Sequence, residues 1–114
     1  MGKLSRDKGK RGEREVVALL RENGFEARRG QQFRGGSDSP DIVHDMTGFY
    51  IEVKLRQQLN LYDTMDVANN EKGEDEKALI FHRKDNKRWL VTMDAEDFLS
   101  TMELYYDLLS GPSA

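Results

Sequence analysis

The chain has 114 residues, 18 Lys and Arg against 21 Asp and Glu, a net charge of −3 and no cysteine. That length supports one domain, residues 1–114, with a core of modest size. The lack of thiols excludes disulfides and thiolate metal sites, as suits a reducing cytoplasm. No apolar run is long enough to span a membrane, the N-terminus lacks the apolar segment of a secretory signal, and His44 and His82 are too few and too far apart for a zinc site.

The overall charge hides an asymmetry. Residues 1–34 hold ten basic and five acidic side chains, net +5, whereas residues 35–114 hold eight and sixteen, net −8. A basic segment, residues 1–10, leads into a helix that begins between residues 5 and 9 and ends near Asn23, where Gly24 stops it. Lys8, Lys10, Arg11 and Arg14 at its start, and Arg29 and Arg34 after it, are candidates for meeting a phosphate backbone; a solubilising tail is the alternative. Val16, Val17 and Leu20 make the apolar stripe, and helical spacing puts Glu13, Gly12 and Gly9 on it too. A buried, unpaired carboxylate is costly. Glu13 therefore either joins an acidic site at the edge of the core or pairs with Lys10, Arg11 or Arg14.

Residues 25–29 read as a first strand. The Gly- and Ser-rich segment 30–39, GQQFRGGSDS, is a loop whose Ser37, with Arg29 and Arg34, is placed to contact phosphate. Two strands follow, residues 41–44 and 49–55, expected to form a hairpin around the turn 45–48. Within the second, Phe49, Ile51, Val53 and Leu55 alternate with Tyr50, Glu52 and Lys54, so Glu52 and Lys54 share one face. Asp41 stands at the mouth of the neighbouring strand, where the hairpin brings its carboxylate towards Glu52. Two close carboxylates repel unless a cation or a shared proton intervenes. Mg²⁺, which takes one or two carboxylates plus water and phosphate oxygens, fits that pair. Lys54 beside it would orient or deprotonate water, or stabilise phosphate charge, and the chemistry implied is phosphodiester hydrolysis. Taken alone, Glu52 and Lys54 read equally as a solvated ion pair.

Further along, Gln57 lies close enough to the second strand to touch a phosphate or base edge. A helix is expected over residues 60–69 with Leu61, Met65 and Ala68 inward, then a solvated charged loop, EKGEDE. Residues 78–81 and 89–92 form a second hairpin around 84–87. A last helix starts at the N-cap Asp94 and carries Phe98, Met102, Tyr105 and Leu109 at helical spacing, expected as core. Leu99, Tyr106 and Leu108 add more apolar surface than one small sheet covers, and that excess fits a dimer interface. Residues 111–114 are a frayed tail.

The segments KGKRGEREVVALLRENGFEARR, SPDIV and YIEVK together resemble the PD-(D/E)XK nuclease superfamily, and more narrowly the archaeal-type Holliday junction resolvases, including their relatives in phages. The resemblance implies an α/β, restriction-endonuclease-like fold with a central mixed β-sheet flanked by helices, in the order αβββαββα. It implies a homodimer, acting in the cytoplasm, that cuts paired strands at a four-way DNA junction with Mg²⁺, or Mn²⁺ in its place. By position, Asp41 and Glu52 resemble the metal ligands, with the backbone carbonyl of Val53 a further ligand. Lys54 resembles the catalytic lysine, Glu13 the helix acid that completes the site, and Ser37 or Ser39 a loop serine. The alternatives are a nuclease of the same scaffold acting on flaps, single strands or duplex ends, a DNA-binding module without catalysis, and an acidic protein-interaction domain.

Overall fold

The computed structural model describes residues 3–30 and 41–111. Arg34, Ser37, Ser39 and Pro40 lie outside them. The chain order is α1 (Lys3–Glu22), β1 (Ala27–Arg29), β2 (Ile42–His44), β3 (Phe49–Leu55), α2 (Leu61–Glu71), β4 (Lys77–Arg83), β5 (Leu90–Thr92) and α3 (Ala95–Ser110). This is the αβββαββα order expected from the sequence.

β3, β4 and β5 form a mixed three-stranded sheet: β3 and β4 run parallel, joined by the α2 crossover, and β4 pairs antiparallel with β5. Its two faces follow from alternation. Ile51 and Val53, with Leu79 and Phe81 of β4, pack against Val16, Val17 and Leu20 of α1. Ala78 and Ile80 turn the other way and pack with Met65 and Ala68 of α2 and with Tyr50. α1 approaches β3 closely at Gly12, where a Cβ would stand 3.2 Å from Leu55 Cβ and 3.3 Å from Val53 Cγ1. Only a residue without a side chain leaves the helix that near the strand carrying Glu52 and Lys54. α1 ends as the sequence requires: Gly24 takes φ +91°, while Phe25 N–H donates to Leu20 O and Gly24 N–H to Arg21 O.

The structure corrects two expectations. Residues 41–44 and 49–55 do not form a hairpin. β2 pairs antiparallel with β1, Ala27 opposite His44 and Arg29 opposite Ile42, while β3 gives its ladder to β4. Reciprocal bonds between Glu26 and Asp45, and Gly30 N–H to Asp41 O, extend the β1–β2 pairing at both ends, so β2 is drawn away from β3. The second correction concerns α3. None of its residues is buried, and the stripe expected as core is exposed, with Phe98 at 47 %, Tyr105 at 51 % and Leu109 at 62 %. The helix has only its starting end tied in, where Asp94 accepts from Asn69 Nδ2 at 3.0 Å and so makes no side-chain cap of its own.

Candidate active site

The separation of β2 from β3 leaves a gap at the open edge of β3, and the Asp41 side chain bridges it. Its Oδ2 accepts from Val53 N–H at 3.1 Å, a backbone donor that a paired strand would otherwise have taken. This bond holds the Asp41 carboxyl at the middle of β3. The neighbouring residue Glu52 is only 6 % exposed, the one buried charged side chain among the described residues. Burial, then a hydrogen bond with the Asp41 carboxyl and the charge on Asp41, push the Glu52 carboxyl up to about 8; Lys54 opposes the rise. Burial beside a second acid therefore favours the protonated form of Glu52.

A cleft of about 380 Å³ opens at this edge, lined by Glu13, Asp41, Val53 and Lys54 together with Lys8 and Arg56; Glu52 itself does not line it. Glu13 reaches it from α1 and pairs with Arg29 of β1, Nε to Oε1 at 2.9 Å. Burial raises the Glu13 carboxyl, the Arg29 bond lowers it, and the nearby Asp41 charge raises it again. Glu13 thus lies near Asp41 and is ion-paired with Arg29, while Lys10 adds a weaker favourable charge. Among the described residues no three His, Asp or Glu side chains converge closely enough to hold an ion.

A family model described as archaeal Holliday junction resolvase (hjc) matches residues 4–104, nearly the whole chain. The chain belongs to this resolvase family. No curated protein matches it. Among solved structures, Archaeoglobus fulgidus Hjc, a Holliday junction resolvase from an archaeal hyperthermophile, is similar over 73 % of each chain, with 24 % identity and a TM-score of 0.55. That likeness establishes the fold, an α/β resolvase fold with a mixed sheet flanked by helices.

Of the resolvase's basic residues expected to meet DNA, several are occupied within the chain. Lys8 Nζ lies 3.2 Å and Arg11 3.1 Å from Asp85, Arg11 also pairs with Glu15 at 3.7 Å, and Arg29 holds Glu13. These are partly exposed pairs of small energy, which a phosphate can displace. Lys10 and Arg14 are exposed on α1. Gln57 Oε1 accepts from Asp85 N–H, so this side chain pins the β4–β5 connection. Two features escape the sequence reading. Glu15 binds Arg83 at 2.9 and 3.0 Å and accepts from Trp89 Nε1 at 3.1 Å, and the Arg83 guanidinium lies 5.4 Å from the Trp89 ring centre. The other is a run of cations, Lys84, Lys87 and Arg88, exposed on the β4–β5 connection. Its signal is the segment HRKDNKRW, which the net acidity of residues 35–114 masks.

Proposed function

We propose that the Asp41 and Glu52 carboxylates, with Lys54 beside them, form the hydrolytic centre with which this resolvase cuts four-way DNA junctions. The observation that carries this reading is the burial of Glu52 on the strand whose Val53 N–H anchors the Asp41 carboxyl beside it. A fold does not bury Glu52 against Asp41 to its own advantage, and a divalent cation relieves the repulsion that the proton otherwise relieves. An oxygen-only donor set in a chain without cysteine suits Mg²⁺, with Mn²⁺ as a substitute. In an extended strand the N–H and C=O of one residue leave from the same edge, so the Val53 carbonyl is a third oxygen on the side where its N–H meets Asp41. When bound, the ion supplies positive charge to the phosphate and acidifies water.

The chain's own groups do the rest. Asp41 and Glu52 hold their oxygens at the edge of β3. Lys54 Nζ donates to phosphate oxygens as negative charge grows on them, and it holds the attacking water by the same donors. Water adds to phosphorus and gives a proton to solvent, the bond to one ester oxygen breaks, and that oxygen takes a proton from solvent to leave as a hydroxyl, with the phosphate retained on the other strand end. Glu13 is a positioning residue: it fixes Arg29 beside the scissile phosphate and adds no ligand to the pair. Arg29, Lys8, Lys10, Arg11 and Arg14 then contact backbone without reading bases, which makes binding structure-selective and salt-sensitive. Arg34 and Ser37, outside the described residues, are proposed as further phosphate contacts.

The test is cleavage of a labelled four-way junction, a flap and a plain duplex by wild type and Lys54→Ala, with Mg²⁺ and with chelator. Paired symmetric nicks in the junction that need Mg²⁺ and vanish in the variant support the assignment. Preference for the flap favours the other nucleases of this scaffold, and binding without any cut favours a module without catalysis.

A homodimer joined through α3 completes the reading. Seven large apolar side chains on that helix, from Phe98 to Leu109, are 47–81 % exposed, an apolar surface that a lone soluble domain seldom presents. An isologous dimer also matches the approximate two-fold symmetry of a junction, so two related sites cut two strands. Tyr105→Asp with Leu109→Asp is expected to convert the protein to a monomer in sedimentation while leaving its circular dichroism unchanged. A wild type that sediments as a monomer rules out the α3 dimer.

No helix among the described residues is long and apolar enough to cross a membrane. Action in the cytoplasm, on DNA, accords with this.

A further inference from the structure

The cations concealed by the acidic average of residues 35–114 line a second cleft, of about 330 Å³. Arg56 borders both this cleft and the catalytic one, so the two lie side by side. Leu59, Leu61 and Leu90 supply its apolar lining. Lys84, Lys87 and Arg88 join Arg56 around it, and no acidic side chain takes part. Among the described residues, ion pairs engage Lys8, Arg11, Arg29 and Arg83 but none of these four cations. An acid-free, cation-rimmed cavity is conspicuous in a chain of net charge −3.

Strand register fixes where this cleft lies relative to the chemistry. Lys54 is opposite His82, and His82 is opposite Leu90. The three side chains stand in a row on one face of the sheet, and with about 4.8 Å between strands the row spans about 10 Å. Duplex DNA rises about 3.4 Å per nucleotide, so a strand cut beside Lys54 passes the second cleft within about three nucleotides.

We propose that this cleft receives an unstacked nucleobase, together with its phosphate, from the strand flanking the cut at the junction's branch point. The proposal rests on the resolvase reading above. A flat apolar ring attached to a phosphate matches apolar walls under positive charge, and guanidinium groups add stacking and cation–π attraction to any base. The stacked bases of an intact duplex cannot enter. At a branch point stacking is interrupted, so a base is extracted at least cost, and the cleft thereby favours junctions over duplex. Gln57 contributes to the lining, and with its oxygen engaged by Asp85 N–H it has its amide NH₂ to offer a base acceptor.

The experiment places 2-aminopurine, which brightens when unstacked, at each of the three positions on either side of the cut in a four-way junction. The Lys54→Ala protein is added with Mg²⁺, and fluorescence and affinity are both read. One position is expected to brighten. Leu90→Glu, at a residue 45 % exposed and therefore tolerant of change, is expected to abolish that brightening and weaken junction binding about tenfold, the worth of one stacked base, with duplex binding little changed. Lys87→Ser is expected to dim the same position. Darkness at every position overturns the proposal, as does brightening that survives Leu90→Glu. Equal weakening of junction and duplex without any brightening reduces the cleft to an electrostatic wall and also overturns it. A wild type that leaves junctions uncut while the fluorescence rises refutes the resolvase reading and not the cleft; a junction cut but dark does the reverse.

Discussion

Asp41→Asn or Glu52→Gln is expected to lower junction cleavage about 10³-fold or more, a loss of about 4 kcal/mol of transition-state stabilisation, while junction affinity holds or rises. The two effects part because these carboxylates repel the phosphate they help to cut. Removing one charge eases the approach of the DNA while dismantling the carboxylate pair proposed to grip the ion. Because they act as a unit, the double variant should cut no more slowly than either single one. Band-shift affinity and single-turnover cleavage on the same junction separate the effects. A fall in binding that parallels the fall in cleavage would show that Asp41 and Glu52 organise the DNA surface and not the chemistry.

Much of this site was legible because it depends on local rules. Alternation along residues 49–55 puts Glu52 and Lys54 on one face whatever the rest of the chain does, and the element order follows from periodicity and turn residues. What escaped was set by distant partners. A four-residue link makes a hairpin the natural expectation for β2 and β3, yet β2 goes to β1 and one side-chain bond, Asp41 to Val53 N–H, stands where a ladder was expected. Glu13 takes its hydrogen-bonded partner from Arg29, sixteen residues away, and only a weaker charge from Lys10 on its own helix. The stripe on α3 announces burial but not by which chain, because periodicity is the same for a core and for an interface. The cations at residues 84, 87 and 88 were lost by averaging charge over eighty residues, whereas folding sums it over a surface.

The same carboxylate pair makes stability depend on pH in a direction opposite to that of an ordinary acid. The folded protein raises Glu52 from 4.5 to about 8, so between those values the native state binds more protons than the unfolded chain. Stability contributed by this group is therefore full below about pH 4.5 and is lost as pH rises through 8. Glu52→Gln imitates the protonated acid at every pH. In chelator, wild type and variant should be about equally stable near pH 5, and the variant should be more stable by on the order of 3 kcal/mol at pH 9. The difference between the two proteins removes the opposing contribution of His82, whose burial disfavours its charged form and so favours folding as pH rises. Adding Mg²⁺ at pH 8 should then stabilise wild type, by about 2.7 kcal/mol at a hundred times its dissociation constant, and leave the variant unmoved. Denaturant titrations at four pH values, with and without the ion, read both halves. If wild type and Glu52→Gln run parallel from pH 5 to 9, Glu52 ionises as a solvated acid does, and the buried pair with its shared proton is not the form the protein adopts in solution. A pH slope without any response to Mg²⁺ would keep the pair and remove the ion from it.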